Sequence, residues 1–263
     1  MDWRFIPEER LDGVRAMALD EVAAQTVQDG GPATVRLYRW IPSTLTLGYG
    51  TAIDEIDMDF CAQNDITVTR RPTGGGAIYH DSFGDVAYSI IAPADAFPSD
   101  VSACYREFCE PIFAAFRDVG VAVDFAPSPI QALHQPACYL RALDPAHDMT
   151  GPDGRKIAGN AQYRMRDAII QHGSLTFAVD ASTHVGCFSA PLEESQFRSR
   201  VSGVREYVDI ERATFVAALS EQLHEWAGAK EGSWSEAEEA ASDQLVADKY
   251  TAESWVYKQP GER

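Results

Sequence analysis

The sequence predicts an α+β fold, a single domain built on a mixed or antiparallel β-sheet flanked by helices. Three observations predict it. Short apolar, β-branched runs alternate with helix-period segments along the whole chain. No internal repeat, low-complexity tract or linker divides it. Its 263 residues, 45% of them hydrophobic, suit one large domain or one domain with a small appendage.

The elements follow in order. Residues 12–28 read as a helix that Asp12 can cap, with Val14, Met17, Ala18, Val22 and Ala23 near one face. Val35, Leu37 and Tyr38 suggest a strand, and residues 45–47 a second one after a turn at 41–43. Residues 66–69 lead into a glycine-rich turn. Residues 78–79 and 86–91 are expected to pair around a loop at 81–85. A helix is expected over 101–119, where Tyr105, Phe108, Ile112, Phe113 and Phe116 keep helical spacing and belong to the core. The sheet resumes at 121–125, and Pro127, Pro129 and Pro136 make the next stretch loop-like. Residues 148–157 read as a hairpin with Gly151-Pro152-Asp153-Gly154 at its tip. Residues 169–179 read as a strand interrupted at His172-Gly173, and the tail as helices over 211–227 and 236–248.

Asp and Glu number 40 against 22 Lys and Arg, a formal net charge of −18. Such a surface disfavours nucleic acid and anionic membrane as partners. No basic-then-apolar leader and no run of about 18 apolar residues is present, so a cytoplasmic protein is expected. The acidity, with only four lysines (Lys156, Lys230, Lys249 and Lys258), predicts adaptation to a halophilic cytosol. There, molar salt shortens the Debye length to about 3 Å and masks self-repulsion. Dialysis into low salt is accordingly expected to lower the circular-dichroism melting temperature and the activity. Five cysteines, without C-x-x-C spacing, do not suggest a disulfide framework. A zinc site of Cys104, Cys109, His134 and Cys138 has suitable residue types but unusual spacing.

Two segments carry chemistry. Arg70-Arg71-Pro72-Thr73-Gly74-Gly75-Gly76 follows a strand. Consecutive glycines let backbone amides form a concave anion site, and the arginines can add bidentate contacts to phosphate or carboxylate. The spacing is neither a Walker A motif nor a dinucleotide fingerprint. The second segment is Gly154-Arg155-Lys156-Ile157-Ala158-Gly159-Asn160-Ala161-Gln162. Lys156 is the only lysine among the first 229 residues, in a chain that otherwise uses arginine. A compact ammonium there can follow charge from a carboxylate to a phosphate or an oxyanion.

In Arg70 to His80 (RRPTGGGAIYH), Lys156 to Gln162 (KIAGNAQ) and Gln171 to Leu175 (QHGSL), the chain resembles the biotin/lipoate attachment superfamily. Specifically it resembles the lipoate–protein ligases and their octanoyltransferase relatives. Trp3-Arg4-Phe5, Met17-Ala18-Leu19-Asp20-Glu21 and Lys249-Tyr250 with Trp255 extend the likeness over nearly the whole chain. The resemblance implies a biotin/lipoate protein ligase-like catalytic domain over 1–263, without a C-terminal accessory domain, and an apolar tunnel for an eight-carbon acyl tail. It implies that lipoate or octanoate reacts with ATP and Mg²⁺ to give an acyl-adenylate, and that the acyl group passes to a lysine on a carrier. That carrier would be a lipoyl domain of a 2-oxoacid dehydrogenase complex or the glycine-cleavage H-protein, and a separate accessory protein is allowed.

By position, Arg70, Arg71, Thr73, Gly74, Gly75 and Gly76 are expected to line the acyl and phosphate site, with His80 after them. Lys156 is expected on the carboxylate and α-phosphate, and Asp148, eight positions before it, matches an acidic residue of the ligases. A turn at Ala158, Gly159 and Asn160 is expected over the adenylate, and His172 and Ser174 beside the acyl pocket. The resemblance also carries an alternative. Cys138 stands where octanoyltransferases of this pathway have a nucleophile, and would take octanoate from an acyl-carrier protein as a thioester without ATP. The triple glycine favours the ligase, since those transferases more often carry an arginine at the third position.

Overall fold

The structure is a computed structural model describing residues 1–133, 136–144 and 147–258. The chain opens with β1 (Trp3–Leu11), α1 (Gly13–Gln28), β2 (Ala33–Trp40) and β3 (Thr44–Leu47). There follow α2 (Met58–Gln63), β4 (Thr67–Arg70), β5 (Ile78–His80), β6 (Asp85–Pro93) and α3 (Val101–Asp118). The second half holds β7 (Asp124–Phe125), β8 (Met149–Thr150), β9 (Lys156–Arg164), β10 (Ala168–Thr176), α4 (Ala181–Gly186) and α5 (Glu194–Arg198). It ends with α6 (Arg212–Ala227), β11 (Lys230–Glu231), α7 (Glu236–Leu245) and α8 (Glu253–Val256).

The larger sheet has the order β11-β1-β2-β6-β10-β9-β8-β7. Its first three strands are parallel to one another and the remaining pairings antiparallel, so the sheet is mixed. A smaller sheet has the order β4-β3-β5. Side chains of β6 leave alternately to opposite faces. Val86, Tyr88, Ile90 and Ala92 join the core that α3 and α6 cover. Ala87 and Ile91 pack with apolar side chains of α1. A strand buried on both faces reads as a continuous apolar run, which is why its pattern does not alternate.

Asp12 caps α1 by accepting from the Arg15 amide at 2.9 Å, as its position predicts. The aromatic series of α3 belongs to the main core, as expected. Two expectations are corrected. β5 and β6 do not pair: β5 lies antiparallel to β3 in the small sheet, whereas β6 sits between β2 and β10 in the large one. The intervening residues 81–84 therefore cross between sheets. Likewise β10 runs unbroken through His172-Gly173, because Gly173 faces Tyr88 and Asn160, where a Cβ would lie 2.4 and 2.0 Å from their side-chain atoms. The β1 strand was legible only through resemblance, since its buried positions are few and scattered.

Candidate active site

A cavity of about 420 Å³, counted with its open mouth, lies at the junction of the two sheets. Met17 of α1, Tyr38 and Trp40 of β2, and Ile78 of β5 give it apolar walls. The expected site residues Arg71, Gly75, His80, Cys138, Gly159, Asn160, His172 and Ser174 all line it. Gly74 and Gly75 are exposed, placing the glycine loop at the solvent boundary.

The polar wall is one continuous hydrogen-bonded chain. His80 Nδ1 donates to Asp85 Oδ2 at 2.7 Å, and its Nε2 accepts from Thr46 Oγ1 at 2.9 Å. His172 Nδ1 donates to Asp20 Oδ2 at 2.9 Å, and its Nε2 accepts from Thr73 Oγ1 at 2.7 Å. These tautomers follow from the acceptor-only carboxylates. Burial holds the His80 pKa below its ordinary value despite Asp85, so the ring stays neutral at pH 7. Asp85 also accepts from Trp40 Nε1 at 3.0 Å and Ser174 Oγ at 2.6 Å.

Arg71 joins the two halves. Its Nε donates to Thr73 Oγ1, its Nη1 to Thr46 O and Oγ1, and its Nη2 to Gly74 O and Gly76 O. Burial lowers its pKa to about 10, which still leaves it charged. All its N–H groups are thus committed to holding the glycine loop, not to a ligand. Arg70 departs further from expectation and does not line the cavity. Its guanidinium donates to the carbonyls of Gly48, Tyr49, Thr51, Trp255, Val256 and Lys258. With no carboxylate bonded to it among the described residues, a buried guanidinium satisfies its fork with carbonyls at loop ends. Arg70 thereby fastens the C-terminal segment to the loop.

Asp20 anchors the far end. It accepts from Arg36 Nε at 3.0 Å and Nη2 at 2.8 Å, and both side chains are fully buried. Burial alone would raise its pKa, but Arg36 and the His172 bond outweigh this and hold it below the ordinary carboxylate range. A depressed folded pKa stabilises the fold above the unfolded value of about 3.9 and is lost as pH falls through the folded one. Asp20→Asn leaves the Arg36 charge unpaired and is expected to cost about 3–5 kcal/mol at pH 7. Urea unfolding measures this, and the difference from the parent is expected to shrink as acid protonates Asp20.

Cys138 reaches the cavity from the opposite bank. Ala77 N donates to Pro136 O at 2.6 Å, and Cys138 N donates to Ala77 O at 2.7 Å, zipping the cysteine segment onto the glycine loop. A Cβ on Gly76 would lie 2.5 Å from Pro136 O and 2.9 Å from Cys138 N. Because both neighbours are backbone, only glycine fits. Gly76→Ala is expected to displace the cysteine and lower turnover about tenfold or more, read as kcat on folded protein. The Cys138 Sγ lies 3.6 Å from the position of a Cβ on Gly159. The amides of Gly75 and Gly76 donate to no group among the described residues, leaving donors for an anion.

Lys156 opens β9 and is buried beside the cavity. Its Nζ donates to Asp148 Oδ1 at 2.5 Å, a partner that the sequence did not assign to it. Burial lowers its pKa, but the neighbouring Cys138 and Asp148 outweigh that and leave it above the ordinary value. Lys156 is not among the residues that line the cavity, but its Nζ lies 5.7 Å from the centre of the ring of Tyr139, the neighbour of Cys138.

Other expectations are corrected. Thr73 and Gly74 do not line the cavity: Thr73 is buried between Arg71 and His172. Gly76 packs under the cysteine segment. Ala158 to Asn160 form no turn but part of β9: Ala158 faces the main core, Gly159 and Asn160 line the cavity, and the Asn160 side chain accepts from Tyr88 Oη at 3.1 Å. The zinc reading includes His134, which lies outside the described residues. Among those described, no cluster of three His, Cys, Asp or Glu side chains is arranged for a metal. Cys104 and Cys109 instead pack in the core with Gln162 and Gln171 amides against their sulfurs.

Residues 12–224 match the lipoyl protein ligase A/B catalytic domain family. The chain belongs to this family. Within it, the chain is 29% identical over 97% of its length to an octanoyltransferase LipM of Halalkalibacterium halodurans, covering 99% of that protein. It is 30% identical to a LipM of Geobacillus kaustophilus, over 97% of this chain and 98% of that protein. The fold matches a bi-partite lipoate protein ligase from Thermoplasma acidophilum, with a TM-score of 0.81 at 24% identity, over 100% of this chain and 99% of that one. This member of the lipoyl ligase family is therefore an enzyme with the expected mixed-sheet architecture. No helix among its described residues is long and apolar enough to cross a membrane.

Sequence reasoning missed Tyr38, Trp40, Thr46 and Asp85 as cavity or relay residues. Tyr38 and Trp40 share the period-two face of β2. Asp85, a carboxylate at the head of an apolar strand, was the available signal of a buried polar network.

Proposed function

We propose that the protein is an octanoyltransferase that carries an acyl group on Cys138 from an acyl-carrier thioester to a lysine of a lipoyl carrier domain. One observation carries this reading. Of five free cysteines, four are buried, while Cys138 is half-buried in a cavity beside a charged lysine and unbonded glycine amides. The relatives named LipM support the same choice.

Lys156, paired with Asp148, supplies a buried cation for the negative charge that develops during transfer. The thiolate attacks the donor's acyl carbon, a new C–S bond forms, and the donor's C–S bond breaks to release the carrier thiol. The Gly75 amide, at the cavity wall and unbonded among the described residues, is the donor available to the oxyanion formed on the way. Met17, Tyr38, Trp40 and Ile78 hold the acyl tail. Lysine attack then releases Cys138 and leaves an amide on the carrier domain.

The triple glycine favours a second reading, in which MgATP activates lipoate. Lys156 and the glycine amides would then face the α-phosphate, with Gly159 and Asn160 along the nucleotide and Mg²⁺ held through its phosphates. Two assays separate the readings. Octanoyl transfer from acyl-carrier protein to a lipoyl domain without ATP is expected to proceed. ATP–pyrophosphate exchange with lipoate, in the absence of such transfer, would overturn the proposal.

A further inference from the structure

Arg141 differs from the other cations of the site. It directly follows the Cys138–Leu140 turn and is exposed. Its stem crosses the glycine loop, with Cδ 3.1 Å from the position of a Cβ on Gly76. Arg71 and Lys156 both feel its charge, which disfavours their own cationic forms. Those two are occupied, Arg71 by loop oxygens and Lys156 by Asp148. Arg141 makes no hydrogen bond or ion pair with a described residue.

Charges facing this point come from several elements. Lys156 stands at the head of β9, Asp148 just before β8, and Arg71 and Cys138 on the loops below. Asp144 and His147 share Arg141's own loop and lie 3.5 Å apart. His80 and His172 lie deeper, each bonded to an aspartate. Asp148 offsets only one of the three positive charges around Cys138. In a chain with 40 acidic and 22 basic residues, that local excess runs against the composition.

An acceptor lysine must place its Nζ at the acyl carbon on Cys138, within this field. We infer that Arg141 is a positioning residue for the acceptor amine: its cationic side chain, packed against Gly76 three residues after Cys138, disfavours the ammonium, so the amine enters as the free base. A like charge a few ångströms away acts on a lysine in this sense. The neutral amine attacks the acyl carbon, the C–N bond forms and the C–S bond breaks. Cys138 departs as thiolate and takes the proton released from nitrogen, which regenerates the thiol. The inference rests on the proposed transfer to a lysine, but not on how the acyl group was activated.

The test follows single-turnover transfer from octanoyl-Cys138 enzyme to a saturating apo lipoyl domain, between about pH 6 and about pH 10. Arg141→Met is expected to raise the apparent pKa of the saturated rate by about one unit, with the alkaline plateau retained and Arg141→Lys restoring the parent profile. The kcat/KM profile, which reports the free amine, is expected to keep its acceptor pKa. An unshifted saturated profile, or a pH-independent loss that lysine does not restore, would overturn the role. Mass spectrometry of the loaded enzyme separates the two claims. If the parent never acquires an acyl group on Cys138, the transferase reading fails, and the same profiles run with octanoyl-AMP as donor decide the role of Arg141.

Discussion

Cys138→Ala is expected to reduce octanoyl transfer by about a thousandfold or more, because among the described residues no other thiol lines the cavity. The remaining cysteines are buried, and Cys109 has its thiol pushed far above the ordinary value by burial. The substitution removes one sulfur from a half-buried position whose backbone amide remains bonded to Ala77 O. Stability is therefore expected to change by about 1 kcal/mol or less. Steady-state transfer with octanoyl-acyl-carrier protein, together with a thermal melt, checks both parts. A variant that keeps parental turnover would show that the thiol is a bystander.

Lys156→Met is expected to lower kcat by about a hundred- to a thousandfold, the range for removing one electrostatic donor from a preorganised site. The developing oxyanion loses its cation. Unlike the cysteine change, this one also carries a stability cost, since Asp148 loses its partner at 2.5 Å. Pairing it with Asp148→Asn is expected to recover stability but not turnover, a distinction that a purely structural role for Lys156 would not produce. The raised pKa of Lys156 gives the pH dependence its sign. The cation is in place below the ordinary lysine value of about 10.4 and is lost only as pH rises through the higher folded value. The acid limb of activity is thus expected to come from groups other than Lys156.

Much of this site was legible in sequence because its parts depend on residue type. A run of three glycines, a lone lysine in an arginine-using chain and a cysteine before a hairpin each announce chemistry at short range. Helix α1, through its capping Asp12, and α3, through its helical spacing of aromatic residues, were legible for the same reason. Long-range partnership was not. The two arginines beside the glycines read as ligand-binding forks, yet their targets are main-chain carbonyls, supplied partly by residues near 255, and two threonine hydroxyls, which no local pattern encodes. The pairing of Asp85 with His80, and of Asp20 with His172, joins residues 5 and 152 positions apart. The misassigned pairing of β5 with β6 has a similar cause. A short connection suggests a hairpin, whereas burial of β6 on both faces requires it in the centre of the larger sheet. The choice between activation routes was likewise weighted toward the third glycine, a position whose packing against Pro136 and Cys138 became visible only in three dimensions.

The most direct measurement is intact-protein and peptide mass spectrometry after mixing the enzyme with octanoyl-acyl-carrier protein, with no nucleotide and no acceptor. The account predicts one octanoyl group per chain, on the peptide containing Cys138, labile to hydroxylamine and discharged when an apo lipoyl domain is added. An unmodified enzyme that acylates the lipoyl domain only when ATP is supplied would contradict it.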